Sequence, residues 1–480
     1  MNIQFIVYIL GWILNFQGLF LLIPSLVAVF YKEKSGVAFI ISALLCLVIG
    51  VLLTRWKPKS KSFYAKEGFI TVAAGWLLLS ISGSLPFLLS GEIPSVFDAL
   101  FETISGYTTT GATILMDVEV MPKCILFWRS FTNWIGGMGV LVFVLAIVPL
   151  AGGNNMHMMR AESPGPTVGK LVPRVKTTAF ILYAIYTVLT VLEGILLLIA
   201  GMKPFDAVTA AFATAGTGGF GILNSSIANY SMAIQNIVGI FMILFGVNFS
   251  VYFLILIRKP KQAWMCEEVK VYFAIVFVAT IAIGINIREE FSSIWMAFQQ
   301  AFFQVGTIIT TTGFATCDFN LWPAFSKTIL LLLMFVGACA GSTSGGIKVS
   351  RFILAFKNVK NEIATFIHPK SVRTIRYEGK KVSKDVVDSV NTYLVIYAFI
   401  FMISFLLISF ENNSLETNFT AIAATLNNIG PGFDEVGPTA NFGHFHPFSK
   451  CVMMFDMLAG RLELIPMLIL FTPSVWKKHR

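Results

Sequence analysis

The sequence predicts an all-α polytopic membrane protein built on a fourfold repeat behind one extra pair of N-terminal spans. Three observations predict it. Of 480 residues, 56% are hydrophobic and only 12% charged, whereas a soluble domain carries about 25% charge. A chain this apolar cannot hide its surface in one soluble core, because single cores stop growing near ~250–300 residues. Ten long apolar runs alternate in a regular order with four short ones. The basic residues are also unevenly distributed among the loops between the long runs.

The first long run, about residues 3–30, lacks the charged flank and small-residue cleavage site of a signal peptide and is too long for one, so it is expected to stay as a span. A second follows at about 36–55. The others lie near 68–90, 124–150, 177–201, 232–257, 271–287, 326–350, 387–410 and 450–475. The short runs, near 94–107, 204–215, 294–309 and 417–428, fall below the ~17 residues a spanning helix needs. Each opens into a burst of Thr, Gly or Asn. The expected division is therefore 1–56 for the N-terminal pair, then 64–152, 175–258, 267–367 and 385–477 for the four repeats.

The bursts read Thr108-Thr109-Thr110-Gly111, Ala215-Gly216-Thr217-Gly218, Thr310-Thr311-Thr312-Gly313 and Asn427-Asn428-Ile429-Gly430. Their last glycines are 107, 95 and 117 residues apart, which is an internal repeat. An aromatic follows closely in three copies, Phe220, Phe314 and Phe433. Two short runs share the start Phe97-Asp98-Ala99 and Phe205-Asp206-Ala207, where an aspartate suits the positive end of a helix.

Non-helical backbone at membrane depth is tolerated only where protein buries it or where it lines a wet cavity. Four such bursts therefore point to one shared axis. There, carbonyls without helical partners can replace the hydration shell of a cation, and the negative ends of the short helices favour cations over anions. Glycine suits such a ring because it reaches positive φ.

Charge placement sets the orientation. With the N-terminus inside, the segments 54–66, 152–176, 258–270, 348–384 and 477–480 hold 26 of the 35 Lys and Arg residues and the outer loops hold seven, a strong positive-inside bias. Both termini are then cytoplasmic. The net charge of +10 is mostly topology, and no basic run is interleaved with aromatics as nucleic-acid binding would need. The six cysteines form no C-x-x-C pair and imply neither a zinc site nor a disulfide framework. Cys124, Cys317 and Cys451 fall near one face, so a bridge among them stays open. His444-Phe445-His446 has no nearby Cys or carboxylate and reads as outer loop. Nucleotide-binding and hydrolase motifs are absent from the sequence, and Gly216-x-Gly218-Gly219 follows no strand. An enzyme is not expected. A secondary transporter of an organic solute would show inverted twofold repeats, against which this same-direction fourfold repeat argues.

Over nearly its whole length the chain resembles the superfamily of K⁺ transporters that includes TrkH, KtrB and the plant HKT proteins. The four bursts carry the resemblance, with Trp134-Ile135-Gly136-Gly137-Met138-Gly139, the stretch Gly337 to Lys348, and Gly460-Arg461-Leu462-Glu463. The extra N-terminal pair is the TrkH-like feature, absent from KtrB. The resemblance implies four membrane–pore-loop–membrane repeats around one K⁺-channel-like pore in a bacterial plasma (inner) membrane. It also implies K⁺ as the transported ion, with Rb⁺ as a stand-in and the burst carbonyls as ligands. In the family, glycine at all four ring positions goes with K⁺ and serine in the first goes with Na⁺; the expected ring here is Gly111, Gly218, Gly313 and Gly430. A Na⁺-permeable or H⁺- or Na⁺-coupled symporter of the same architecture is the alternative.

The run from Gly337 through Gly341, Ser342, Thr343, Ser344, Gly345 and Gly346 to Lys348 should break its helix, since each helical glycine costs about 1 kcal/mol relative to Ala. The expectation is a gating loop beneath the filter; small-residue helix packing is the plainer alternative. Arg461 lies within an apolar run, is costly there and should meet loop carbonyls or hydroxyls at 341–346 unless it snorkels to the interface. Glu463, two residues on, should point elsewhere. Glu102, Glu193, Asp456 and Arg129 either shape the pore field or pair locally. The chain carries no nucleotide site of its own. The resemblance implies a homodimer regulated by a cytoplasmic TrkA-like ring that binds ATP, ADP or NAD(H). The basic stretch from Arg351 to Lys384 serves equally as docking surface or as an anchor to anionic membrane lipid.

Overall fold

A computed structural model describes residues 2–58, 65–137, 139, 175–369 and 373–473. Most of the segment 152–176, Met138, the 140–150 part of the fourth long run, Lys370 and residues 474–480 lie outside them. Most of the described residues are helical, with one short antiparallel strand pair, Arg376–Tyr377 and Lys380–Lys381. The N-terminal pair, Ile3–Tyr31 and Gly36–Arg55, turns through Lys32 in the left-handed region at φ 58° and packs closely. A Cβ on Gly50 would lie 2.5 Å from Asn15 Oδ1, so glycine is what allows that approach.

Four sets of helices follow. The first is Ala65–Ser90, Val96–Tyr107 and Lys123–Gly137; the second is Val175–Ile199, Pro204–Ala215, Met232–Phe245 and Phe249–Leu256. The third is Glu267–Asn286, Ile294–Ile309, Ala324–Phe335 and Val349–Ile367; the fourth is Lys384–Ile408, Leu415–Leu426, Pro447–Arg461 and Ile465–Leu470. The short second helix of each set starts where its sequence says it should. Ser95, Ser293 and Ser414 cap three of them through their hydroxyls, and Pro204 opens the other at the position where a missing N–H costs nothing. Asp98, Asp206 and Glu416 sit in first turns. Asp98 is further held by Lys450 Nζ at 2.6 Å, which ties the first short helix to the fourth set.

The ten long runs do not all become uninterrupted spans. Among the described residues, six helices are long and apolar enough to cross a membrane, or seven if the bent pair Met232–Phe245 and Phe249–Leu256 counts as one. The closing helix of every later set is broken. That pair bends by 90° across Gly246 to Asn248, where Asn248 Oδ1 accepts from Ser250 N at 2.9 Å and restarts the helix. The third set stops at Phe335 and resumes at Val349. The fourth breaks after Arg461, where Glu463 and Leu464 adopt φ 61° and 64° and Pro466 opens the next helix. The sequence reading placed a break in the third set only; hydropathy averages over two or three residues and cannot register a break that short.

The polarity of the packing is inverted relative to a soluble protein. Leu26, Val29, Phe277 and Leu406 are exposed on the long helices, while the threonines and asparagines at the ends of the short helices are fully buried. Water-exposed apolar faces of this extent would be unstable, so the outer faces meet lipid.

Candidate functional site

The four bursts converge. Each short helix ends with the same cap: Thr110, Gly218, Thr312 and Ile429 donate their N–H to the carbonyls of Ser105, Ala213, Thr307 and Ala424 at 2.8–2.9 Å. The residue before each is in the left-handed region, Thr109, Thr217, Thr311 and Asn428 at φ 53–57°. The glycine after each is left-handed too: Gly111 at 77°, Gly219 at 65°, Gly313 at 85° and Gly430 at 100°.

This fixes the register of the second burst one residue later than the sequence spacing predicts. Ala215 is the last residue of its helix and corresponds to Tyr107, Ile309 and Leu426, while the burst itself is Gly216 to Gly219. Gly218 supplies a third-position carbonyl, and the ring glycine is Gly219. The signal was present in Phe220 and Phe314, each of which directly follows its ring glycine.

The four glycines close a ring. A Cβ on Gly111 would lie 2.0 Å from the Gly218 carbonyl oxygen, one on Gly219 2.0 Å from Thr312 O, one on Gly313 2.2 Å from Ile429 O, and one on Gly430 2.8 Å from Thr110 O. Each glycine therefore abuts the carbonyl of the next set, and the fourth returns to the first. All four line one cavity, together with the loop residues Met116, Asn224 and Asn441. Hydroxyls brace the turns from behind: Thr108 Oγ1 lies 2.8 Å from Thr110 Oγ1, and Thr310 Oγ1 lies 2.8 Å from Thr312 Oγ1. Asn428 Nδ2 donates to Thr110 Oγ1 at 2.9 Å and crosses from the fourth set to the first. Asn427 is held by Tyr397. In the Trp134–Gly139 stretch, a Cβ on Gly136 would come within 1.9 Å of Tyr107 O, so glycine lets that helix rest on the end of the first short helix.

The loops around the cavity carry polar side chains. Asp434 accepts from Ser414 and Thr417, and these hydrogen bonds hold its carboxyl below the usual range. Asn224 does the same to Asp117. Among the described residues no His/Cys/Asp/Glu cluster fits a metal ion. His446 caps the helix that starts at Pro447, and all six cysteines are free.

Beneath the ring lies the segment between Phe335 and Val349. Gly345 N donates to Thr311 Oγ1 at 2.7 Å, and a Cβ on Gly345 would meet Asn427 O at 2.5 Å, so the loop touches the inner end of the ring. Gly341 and Gly346 adopt φ 71° and 70°. Two cations hold the loop by its carbonyls. Lys348 Nζ donates to Ser344 O and, at 3.0 Å, to Gly345 O. Arg461 donates to Thr343 O and to Gly136 O, both at 2.7 Å. Gly337 N closes the base on Ile347 O at 2.8 Å, while Ser342 turns back on Cys339 O. Glu463 pairs with Arg351, away from Arg461.

One residue of this region escaped the sequence reading. Glu268, buried at the start of its helix, accepts from Ala340 N at 2.7 Å and Ser350 N at 3.0 Å and so grips both ends of the loop. Its position at the edge of an apolar run gave no signal. Arg129 and Glu102 pair with each other at 2.7 Å. Asp456 accepts from Ser404 at 2.7 Å, and Glu193 is buried in its helix.

Four left-handed glycines that each abut the next set's carbonyl, at the ends of four buried short helices walled by lipid-facing spans, define a membrane cation-transport protein. The sequence matches the cation transport protein family TrkH over residues 35–478, and the chain belongs to that family. The Trk system potassium uptake protein TrkH of Escherichia coli (strain K12) is 37% identical with both chains fully covered, and TrkG of the same organism is 33% identical over 99% of each. The crystal structure of the potassium transporter TrkH from Vibrio parahaemolyticus superposes with a TM-score of 0.89 at 35% identity, covering 99% of this chain and all of that one.

Proposed function

We propose that the chain takes up K⁺ across a bacterial plasma membrane through the ring of carbonyls, as its relatives' names describe for them. The single observation that carries this is the closed ring, in which four left-handed glycines each abut the next set's carbonyl. Carbonyls so fixed, with the negative ends of four helices behind them, replace the shell of a dehydrated cation. The ring of Gly111, Gly219, Gly313 and Gly430 has no side chain to narrow it, which fits K⁺ over Na⁺. The four sets then correspond to pore repeats 64–152, 175–258, 267–367 and 385–477, behind the pair 1–56.

The loop from Gly337 to Gly346 is the gate in this reading. Arg461 and Lys348 pin its carbonyls beneath the filter and place positive charge in the path of the ion. The N- and C-termini are cytoplasmic, in keeping with the basic loops. The working assembly is a homodimer with a cytoplasmic TrkA-like ring supplying nucleotide control, through the helix Val349–Ile367 that continues from the loop. Labelled Rb⁺ uptake in cells lacking their own K⁺ uptake tests the reading: the chain restores uptake, and replacing Gly111 with Ser lets Na⁺ compete. Restored Na⁺ uptake with no Rb⁺ uptake by the unaltered chain would overturn it.

A further inference from the structure

We propose that the buried Glu102–Arg129 pair is a cross-brace between the first two filter strands and that it sets how sharply the pore discriminates among cations. Five residues before the end of the four short helices stand Glu102, Ala210, Gln304 and Ala421. The outgoing strand of the first set is held by Glu102, which accepts from Ile114 N at 3.0 Å and Thr113 Oγ1 at 3.0 Å. In the third set, Gln304 donates to Thr316 Oγ1 at 3.1 Å. In the fourth, Thr420 Oγ1 accepts from Phe433 N at 3.0 Å.

Among the described residues, no side chain of the second short helix bonds to its own strand at 219–222. Ala210 carries no polar group, and Thr209, the counterpart of Thr420, turns back on the carbonyls of Phe205 and Asp206. Arg129 takes that place from the first set. Its Nη1 donates to Gly221 O at 3.1 Å, two residues past the ring glycine, and its guanidinium stacks 4.2 Å from the centre of the Phe220 ring. Its Nε meets Glu102 Oε1 at 2.7 Å. One ion pair thus sets the spacing of strands that start at Gly111 and Gly219.

The guanidinium also lines the cavity above the ring. An uncompensated cation there would oppose entry, so Glu102 has a second task in cancelling it. Buried pairs are poor sources of stability but costly to split. A pair placed behind a filter is better explained by the geometry it fixes. Arg129 and Glu102 act through the strands and are positioning residues.

The inference rests on the ring being a K⁺ filter, and the test separates the two. Initial rates of labelled Rb⁺ and Na⁺ uptake are measured in proteoliposomes for the unaltered chain, Arg129→Lys and Glu102→Gln, each matched for monodisperse protein. Lysine keeps the charge but loses the fork that reaches Glu102 and Gly221 together; glutamine keeps an acceptor but loses the charge. Each is expected to lower the Rb⁺:Na⁺ rate ratio by about tenfold, the scale of one hydrogen bond's differential effect. A purely structural role would lower both rates together and leave the ratio unchanged, and that result overturns the brace. Where both variants fail to fold, Glu102→Asp, with charge and acceptor kept but reach shortened, is read by the same criterion. Failure of the unaltered chain to prefer Rb⁺ would instead remove the filter reading.

Discussion

At Gly219 the ring depends on the absence of one carbon atom. Alanine there would place its Cβ 2.0 Å from Thr312 O on a residue at φ 65°, and the clash is with backbone, so the ring itself must shift to admit it. Gly219→Ala is expected to lower Rb⁺ uptake sharply and to weaken its preference over Na⁺ while the protein still elutes as a folded species; full uptake with the preference intact would place the ring elsewhere. Asp434 carries a pH-dependent contribution to stability. Its carboxyl is held below the usual range by the hydroxyls of Ser414 and Thr417. A lowered folded-state pKa contributes stability above the unfolded value that is lost as pH falls through the folded one. Asp434→Asn should therefore lower the thermal midpoint near neutral pH, with the gap to the unaltered chain closing on acidification. A gap that does not change with pH would assign the effect to packing.

At the scale of single elements, the short helices were legible because their stops are chemical: Ser or Pro at the start and a Gly/Thr/Asn turn at the end. The closing helices were not. The breaks at 246–248 and 462–464 span a few residues inside apolar runs, and only backbone geometry reveals them. The second burst was misplaced by one because Gly216, Gly218 and Gly219 offer three glycines to one ring position. Only Phe220, aligned with Phe314, selects the third. Arg461 was legible as a costly charge in an apolar run, whereas Glu268 was not, since its grip on Ala340 and Ser350 comes from a distant segment.

Two predictions belong to these elements. Arg461→Ala removes charge-assisted bonds to Thr343 and Gly136, of the order of ~1.5–3 kcal/mol each, and should raise Rb⁺ flux through the chain alone. Unchanged flux in folded protein would take Arg461 out of the gate. Glu268→Ala should free both ends of the loop. Buried Cys339 would then react with a membrane-impermeant thiol reagent in a background where the other cysteines are serine. Continued protection of Cys339 would show that the loop holds without Glu268.

For the whole molecule, composition predicted the class and the internal repeat predicted the architecture. The apolar excess faces outward on the long helices, and the threonines and asparagines of the four bursts are buried around one ring. That inversion is what a transported ion requires: a dry wall against lipid and a polar path inside it. The fourfold pattern is only approximate in side chains. The Glu102–Arg129 pair, Gln304 and Thr420 support equivalent strands by different chemistry, while the backbone of the ring repeats closely. Closure of the ring requires left-handed glycines at all four positions, while the side chains that support the strands differ from set to set.

The most direct test of the central claim is competitive uptake of labelled Rb⁺ against Na⁺ by the purified chain in proteoliposomes. The account predicts Rb⁺ entry that excess K⁺ suppresses and excess Na⁺ does not, with the preference weakened when Gly219 is replaced by Ser. Equal suppression by Na⁺ and K⁺, or a preference that survives that replacement, would contradict it.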